Sequence, residues 1–368
     1  MTQSLSIVLA AGGTGGHIFP AQSLAEILTQ RGCDVTLITD KRFKDYKQSH
    51  GNVFTQIRVN IINSSTMSGS PYRKMRGLLS NVSGYRAAKR LIKEIQPDCV
   101  IGFGGYPSFP TMYAASRLCP TIVHEQNAVL GKTNRVLAPK MTAIATSFTD
   151  TDKIDPAYAD KVHYVGNPVR EAVQKLRNVS YPSIDEGLPL RILVTGGSQG
   201  AQIFGEVIPK AIAMLPEYLK ARITVDQQVR AEQLNEISQI YHKNHVNVGL
   251  ATFFANMHEK IEAAHLVIAR AGASSIAELT CAGRPSILVP LPHAADGHQQ
   301  RNAEAVEAVK GAWIVPQHQF TAEHMSIKLK ELLENEMQLV NAADRARHIG
   351  KPEAAQSLAD LVFDMVKA

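Results

Sequence analysis

Two stretches of the chain share one order of apolar and polar positions. Residues 6–32 read SIVLAAGGTGGHIFPAQSLAEILTQRG, and residues 191–215 read RILVTGGSQGAQIFGEVIPKAIAML. Each begins with a short apolar run rich in β-branched residues, passes through a glycine-rich turn, and continues with helical spacing. In the first helix Leu24, Ile27 and Leu28 fall on one face, and Gly32 follows as a stop. Gly12 and Gly196 open the two turns and stand half the chain apart. The pattern predicts two similar α/β domains, each opening with a strand, a glycine loop and a helix.

Further apolar runs at 34–39, 98–103, 121–125, 223–226, 265–270 and 286–290 read as strands, with helical patterns between several of them. Strands alternating with helices predict parallel sheets covered on both faces. The segment 162–173, broken by Asn167-Pro168, reads as the linker. The expected domains are 1–165 and 166–348. A last helix near 352–367, in the tail 349–368, carries Leu358, Leu361, Val362 and Met365 on one face and can pack back on the N-terminal domain.

A length of 368 residues suits two hydrophobic cores better than one. The composition, 45% hydrophobic and 20% charged, is that of a globular protein. Cys33, Cys99, Cys119 and Cys281 are scattered, which speaks for a reducing compartment rather than a disulfide framework. The N-terminus lacks a basic n-region, and no apolar run is long enough to span a bilayer. A cytoplasmic protein without a transmembrane helix is expected. The net charge of +6 suits an anionic partner. From Arg73 to Lys93 there are seven basic residues and no acidic one, interleaved with Met75, Leu78, Leu79 and Tyr85. No nucleic-acid-binding motif accompanies this charge, so no nucleic-acid partner is expected.

The chemistry gathers at glycine turns. Gly12-Gly13-Thr14-Gly15-Gly16-His17 places backbone amides at a helix start, where they attract anions. It matches neither the dinucleotide G-x-G-x-x-G nor a P-loop. His17 is an uncommon residue at a helix start and is either a general base or a backbone-bonded histidine. Gly196-Gly197-Ser198-Gln199-Gly200 fits a second anion-binding turn or a nucleophile elbow centred on Ser198. The elbow would need Asp296 and His298, which share one short loop and suit it poorly. Arg270 to Glu278 forms another strand–glycine–helix junction, with Glu278 placed to balance the helix dipole or to accept ribose hydroxyls. Gly104-Gly105-Tyr106 and His124-Glu125-Gln126-Asn127 follow predicted strands, where open α/β sheets bind ligands. Asp150-Thr151-Asp152 imitates a metal-binding triplet without a third ligand, so no metal site is expected.

Taken in order, GGTGGH at 12–17, GGY at 104–106, HEQN at 124–127, GNPVR at 166–170, GGSQGA at 196–201, RAGASSIAE at 270–278 and HQQ at 298–300 resemble the MurG family of peptidoglycan N-acetylglucosaminyltransferases. The resemblance spans most of the chain. It implies the GT-B architecture: two Rossmann-like, doubly wound parallel-sheet domains separated by a deep cleft. It implies an inverting hexosyltransferase that moves GlcNAc from UDP-GlcNAc to the C4 hydroxyl of MurNAc in undecaprenyl-diphospho-MurNAc-pentapeptide (lipid I), giving lipid II and UDP. Peptidoglycan synthesis, and through it cell shape and division, would be the setting.

By the same resemblance Thr14, Gly15 and Gly16 lie near the donor sugar and acceptor diphosphate, and Asn127 touches GlcNAc. Arg170 and Ser198 contact the nucleotide, the backbone at Phe254 reads uracil, and Ala273 lies beside the sugar and diphosphate. Glu278 accepts the ribose hydroxyls, and Gln299, with Gln300 adjacent, reads the sugar. Tyr106 is assigned to the acceptor side. Arg73, Lys74, Arg76, Leu78 and Leu79 are assigned to an anionic membrane surface. An inverting displacement needs a base on the acceptor hydroxyl, for which His17 is the first candidate and Glu125 the second. No cofactor and no bound metal are expected. The expected location is the cytoplasmic face of the inner membrane, with other cell-wall synthesis proteins as further partners. Two features depart from the family pattern: the stiff Pro107-Ser108-Phe109-Pro110 after GGY, and a long loop from Pro292 to Gln300 that leaves His298, Gln299 and Gln300 undivided. The alternatives are a UDP-GlcNAc 2-epimerase of the same fold, a hydrolase using Ser198, and a non-catalytic sugar-nucleotide sensor or cell-wall scaffold.

Overall fold

The computed structural model describes residues 4–13, 15–44, 54, 57–65, 71–185, 187–197 and 200–367, without the side chains of 71–76, 78 and 79. The chain forms two compact units. One holds Met1–Arg170 and Lys351–Ala368, and the other holds Glu171–Gly350.

The first unit is built on a seven-stranded sheet. Its strands are β1 (Ser6–Ala10), β2 (Asp34–Thr39), β3 (Arg58–Ile61), β4 (Cys99–Gly102), β5 (Thr121–Glu125), β6 (Ala143–Thr146) and β7 (Val162–Tyr164). All pairings are parallel, in the order β3-β2-β1-β4-β5-β6-β7. Its helices include α1 (Gly15–Gln30), α2 (Pro71–Ile95), α3 (Phe109–Ala115) and α4 (Lys132–Leu137). In β1 the residues Ile7, Val8, Leu9 and Ala10 have no exposed surface. Successive side chains on a strand point to opposite faces, and here they feed two cores. Ile7 and Leu9 pack with Ile18, Leu24 and Leu28 of α1. Val8 and Ala10 pack with Ile92 of α2, Met112 of α3 and Leu137 of α4. This double burial is why the strand is apolar throughout.

The second unit repeats the plan. Its strands are β8 (Leu190–Thr195), β9 (Ile223–Gln228), β10 (Asn247–Ala251), β11 (Leu266–Ala269), β12 (Ser286–Leu288) and β13 (Ala312–Ile314). They pair in parallel in the order β10-β9-β8-β11-β12-β13. Helices α5 (Gln202–Ala213), α6 (Leu234–Lys243), α7 (Met257–Ala263), α8 (Ala273–Ala282), α9 (His298–Glu307), α10 (Ala322–Leu333) and α11 (Glu336–Ile349) cover them. Ile192 and Val194 enter one core with Phe204 and Ile208, while Leu193 enters the other with Ile261 and Leu279.

Both sheets have the doubly wound order, so strand order reverses between β1 and β4 and again between β8 and β11. In such sheets ligands bind beyond the carboxyl ends of the strands at that reversal. The two glycine-rich turns lie there, one in each unit.

Residues 162–173 are not a free linker. Val162–Tyr164 pair with β6, and residues 166–170 group with the first unit. The final helix α12 (Ala354–Lys367) also returns to the first unit, where Leu358, Ala359, Leu361 and Val362 join the core that contains α1. Arg31, just after α1, forms an ion pair with Asp360 of α12. The four cysteines form no disulfide; Cys33, Cys99 and Cys281 are buried and Cys119 is half-buried. Among the described residues no helix is long and apolar enough to cross a membrane.

Candidate active site

In the first unit, the carboxyl ends of β1, β2, β4 and β5 bring four loops together. Gly12 of the first loop lies against Pro107 of the third. Asp40, at the end of β2, is buried and accepts from the Gly13 amide at 3.2 Å and from the Arg42 amide at 3.1 Å. Its second oxygen holds the Arg42 guanidinium at 2.8 Å. Arg42 in turn stacks over the ring of Tyr106, with its guanidinium 4.8 Å from the centroid. Asp40 and Arg42 escaped the sequence reading. The available signal was an acid closing the second strand, which a dinucleotide fold would spend on ribose. Here it braces the glycine loop and a cation.

His17 sits in the first turn of α1, half-buried. Its Nδ1 is 3.3 Å from Oε1 of Gln126. Burial holds its pKa below the usual histidine value. The Glu125 carboxylate, Gln126 and the Phe103 main chain push it back up, and Arg42 pushes it down. Gly104 and Gly105 have φ of +78° and +72°, which brings the main chain of Gly105 against the His17 ring.

The HEQN turn leaves β5 fully engaged. Glu125 is 3% exposed. Its Oε1 accepts from the amide and side chain of Asn127, at 3.0 and 3.1 Å. Its Oε2 accepts from the Gly131 amide and from Asn134 Nδ2, each at 2.8 Å. A carboxylate holding four donors organises the turn and has no lone pair turned outward for proton transfer. His124 is fully buried, and burial drives its pKa down to about 4.

Arg170 stacks its guanidinium 4.9 Å from the centre of the Phe19 ring. Gly16 is exposed and Gly15 is buried against Phe19. Thr14 lies outside the described residues.

In the second unit, a Cβ on Gly196 would stand 2.1 Å from the Ala201 amide, so only glycine closes this turn. Ser198, the centre of the elbow reading, lies outside the described residues. Helix α5 starts at Gln202 and α8 at Ala273, and neither N-terminus has a side-chain cap. Their first amides lie at the ends of adjacent strands β8 and β11, and helix N-termini of this kind are the places that attract anions. Thr195 donates to Oε1 of Gln228 at 2.9 Å, and Gln228 Nε2 donates to the Thr252 carbonyl at 3.1 Å. This amide ties the end of β8 to the loop that carries Phe254, which is buried with Lys260 over its ring. Asn302, fully buried on α9, holds the Ala271 carbonyl at 3.1 Å and so fixes the loop after β11. Gln228 and Asn302 were also missed, since a single buried amide leaves no pattern in a sequence.

Glu278 falls in the second turn of α8, half-buried. The HQQ triplet separates in the fold. His298 Nδ1 donates to the Ala295 carbonyl at 2.7 Å. Gln299 Oε1 accepts from the Leu291 amide at 3.0 Å. Gln300 is exposed and pairs with Glu304 along the helix. Among the described residues no three His, Cys, Asp or Glu side chains are grouped as a metal site.

Residues 7–146 match the glycosyltransferase family 28 N-terminal domain, and residues 191–361 match the family 28 C-terminal domain. The chain is 48% identical over 358 residues to the UDP-N-acetylglucosamine–N-acetylmuramyl-(pentapeptide) pyrophosphoryl-undecaprenol N-acetylglucosamine transferase of Rhodospirillum centenum, covering 97% of this chain and 93% of that one. The crystal structure of Acinetobacter baumannii MurG superposes with a TM-score of 0.78 at 28% identity, covering 98% and 99% of the two chains. The chain belongs to the MurG family. As a family 28 member it has the GT-B fold, with both Rossmann-like units identified. A UDP-GlcNAc 2-epimerase from Neisseria meningitidis, solved with UDP-GlcNAc bound, aligns with a TM-score of 0.68 over 98% of this chain and 100% of that one. Its identity of 13% makes that a likeness of fold alone.

Proposed function

We propose that this MurG-family chain transfers GlcNAc from UDP-GlcNAc to the C4 hydroxyl of MurNAc in undecaprenyl-diphospho-MurNAc-pentapeptide, inverting the donor anomer and releasing UDP. The observation that carries the reading is the near full-length likeness to a named N-acetylglucosamine transferase at 48% identity. The epimerase alternative has only fold likeness behind it, and a sensor or scaffold would leave the arrangement around His17 without a task.

The chemistry divides between the units. In the first, Nε2 of His17 takes the proton of the acceptor hydroxyl as its oxygen attacks C1 of the donor sugar. In the second, the uncapped amides of α5 and α8, with Ser198, receive the charge that develops on the leaving diphosphate. The C1–oxygen bond breaks and its electron pair stays on the β-phosphate of UDP. The reading calls on no resident metal or cofactor. Glu278 takes the ribose hydroxyls, backbone groups at Phe254 take the uracil, and Asn127 with Gln299 reads the sugar. Gln300 is set aside by its pairing with Glu304. Arg42, steadied by Asp40 and Tyr106 beside the first glycine loop, is a cation for the acceptor diphosphate.

The acceptor's polyprenyl tail calls for contact with a bilayer. Arg73, Lys74 and Arg76 lie on α2 with Leu78 and Leu79, although their side chains fall outside the described set. A cluster further along α2 supports the reading. Tyr85 of α2 packs on Tyr113 of α3, which stacks on Phe109. Lys89 and Lys140 sit over the Tyr85 and Tyr113 rings. Aromatic groups flanked by lysines suit an anionic lipid interface. The working place of the chain would then be the cytoplasmic face of the inner membrane.

The test is the product formed from UDP-GlcNAc and a short-chain lipid I analogue. A β-linked GlcNAc on C4 of MurNAc supports the reading. GlcNAc on another hydroxyl, or an α linkage, removes it.

A further inference from the structure

The HEQN turn contains a chain of hydrogen bonds that the transfer reaction, as derived above, does not use. It begins at the Gly166 carbonyl, which lies 2.9 Å from His124 Nε2. A carbonyl only accepts, so Nε2 of His124 carries the proton. Ser147 Oγ lies 3.5 Å from the same nitrogen, but its hydrogen is given to the Glu125 carbonyl at 2.8 Å. A neutral imidazole with its proton on Nε2 has a bare lone pair on Nδ1. That lone pair accepts from Gln126 Nε2 at 3.0 Å.

The side-chain amide of Gln126 can be oriented from its neighbours alone. Its Nε2 is 3.0 Å from the His124 carbonyl as well as from His124 Nδ1. Turning the amide over would set Oε1 against two acceptors, which is why only one orientation satisfies the site. Gln126 is 3% exposed and His124 is fully buried, so water cannot make up for a wrong choice. Oε1 is thereby aimed at Nδ1 of His17, 3.3 Å away.

We propose that Gln126 and His124 are positioning residues that hold the proton of His17 on Nδ1 and so leave its Nε2 lone pair free for the acceptor hydroxyl. The proposal rests on the reading of His17 as the base. An oxygen acceptor facing Nδ1 serves both before and after proton transfer. When Nε2 takes the proton, Nδ1–H still donates to Oε1, and the imidazolium forms without any rotation of the amide. The Phe103 main chain and the Glu125 carboxylate also favour the protonated ring, and Arg42 opposes it.

The experiment is nitrogen-15 spectroscopy of the histidine rings in the full-length protein, with steady-state kinetics on the same samples. Wild type should show His17 as the Nδ1–H tautomer when neutral, and His124 as Nε2–H. In Gln126→Leu, His17 should move toward Nε2–H. Its kcat should fall on the order of 10-fold or more, with KM for UDP-GlcNAc unchanged. Gln126→Glu in its protonated form keeps an acceptor at His17 Nδ1 and a donor toward His124, so it should keep the Nδ1–H form that Gln126→Leu loses. A merely structural role for Gln126 would not move the tautomer. A wild-type His17 that is Nε2–H overturns the proposal, and that measurement needs no variant to fold. A folded Gln126→Leu with unchanged tautomer or unchanged kcat overturns it too. His17→Ala with full kcat would instead remove the base reading, while the tautomer assignment would still report on the hydrogen-bond chain itself.

Discussion

The main chain of Gly105 runs so close to His17 that a Cβ on it would stand 3.1 Å from Nε2, the nitrogen assigned to the acceptor proton. The φ of +72° at Gly105 adds a strain of about 1–2 kcal/mol for any L side chain. Gly105→Ala should therefore lower kcat by about 10-fold or more while UDP binding, measured by calorimetry, stays within about twofold. A variant with unchanged kcat would show that nothing reacts at Nε2.

His17→Ala should lower kcat by roughly 10²–10⁴-fold without weakening UDP-GlcNAc, the range usual for a lost general base. The pH profile carries a sign. A base must be neutral to act, and burial lowers the pKa of His17 from 6.5. The acid limb of kcat/KM should lie below pH 6.5, with activity lost as pH falls through the depressed value. A limb above 6.5 would contradict the environment described for the ring.

His124 links the same turn to stability. Its pKa is about 4 in the fold against 6.5 for the ordinary group. The unfolded chain therefore binds more protons between these values, so its stability contribution is complete above pH 6.5 and lost as pH falls through 4. The two values correspond to roughly 3 kcal/mol at most. Denaturant unfolding of wild type and His124→Asn at pH 7 and pH 5 should show the smaller pH effect in the variant. Equal pH effects would contradict a neutral, buried His124.

Arg284 is fully buried, and its guanidinium donates to the carbonyls of Ile261, Glu262, Ala282 and Gly283. It closes the C-terminal ends of α7 and α8, where carbonyls lack helical partners. Burial, with Arg347 nearby, lowers its pKa to about 10. Arg284→Ala leaves these acceptors unpaired and a cavity besides, and should cost about 3 kcal/mol in denaturant unfolding. A loss below about 1 kcal/mol would mean that the acceptors find other donors.

Much of this was legible in the sequence because burial on both faces writes an unbroken apolar run. Strands 34–39 and 121–125 were located to the residue, and β1 and β8 by their runs before glycine. Five strands escaped: Arg58–Ile61, Val162–Tyr164, Asn247–Ala251 and Ala312–Ile314 are sheet edges with partly exposed residues, and Ala143–Thr146, though buried, is four residues long with two alanines. Val162–Tyr164 reads as linker in the sequence because the Asn167-Pro168 break stands close behind it. At the site, glycine turns and the HEQN tetrad announced themselves. The partners that orient them did not: Asp40, Gln228 and Asn302 hold residues distant in the sequence, Gly13, Thr195 and Ala271, which leaves no spacing to read. Glu125 shows the converse, a carboxylate whose place in a motif suggested a base while its four hydrogen bonds give it a bracing role.

The membrane reading is open to a direct check. Lys89→Glu with Lys140→Glu should shift the protein off anionic vesicles at low salt, since each basic residue near such a surface contributes about 1 kcal/mol. Unchanged binding would place the lipid contact elsewhere.

The central claim is transfer rather than cleavage, isomerisation or binding alone. The most direct measurement is UDP release from UDP-GlcNAc with and without a short-chain lipid I analogue. The account predicts UDP only when the acceptor is present, one molecule for each GlcNAc–MurNAc disaccharide formed. UDP released with free sugar in the absence of acceptor, or tight UDP-GlcNAc binding with no turnover on a competent acceptor, would contradict it.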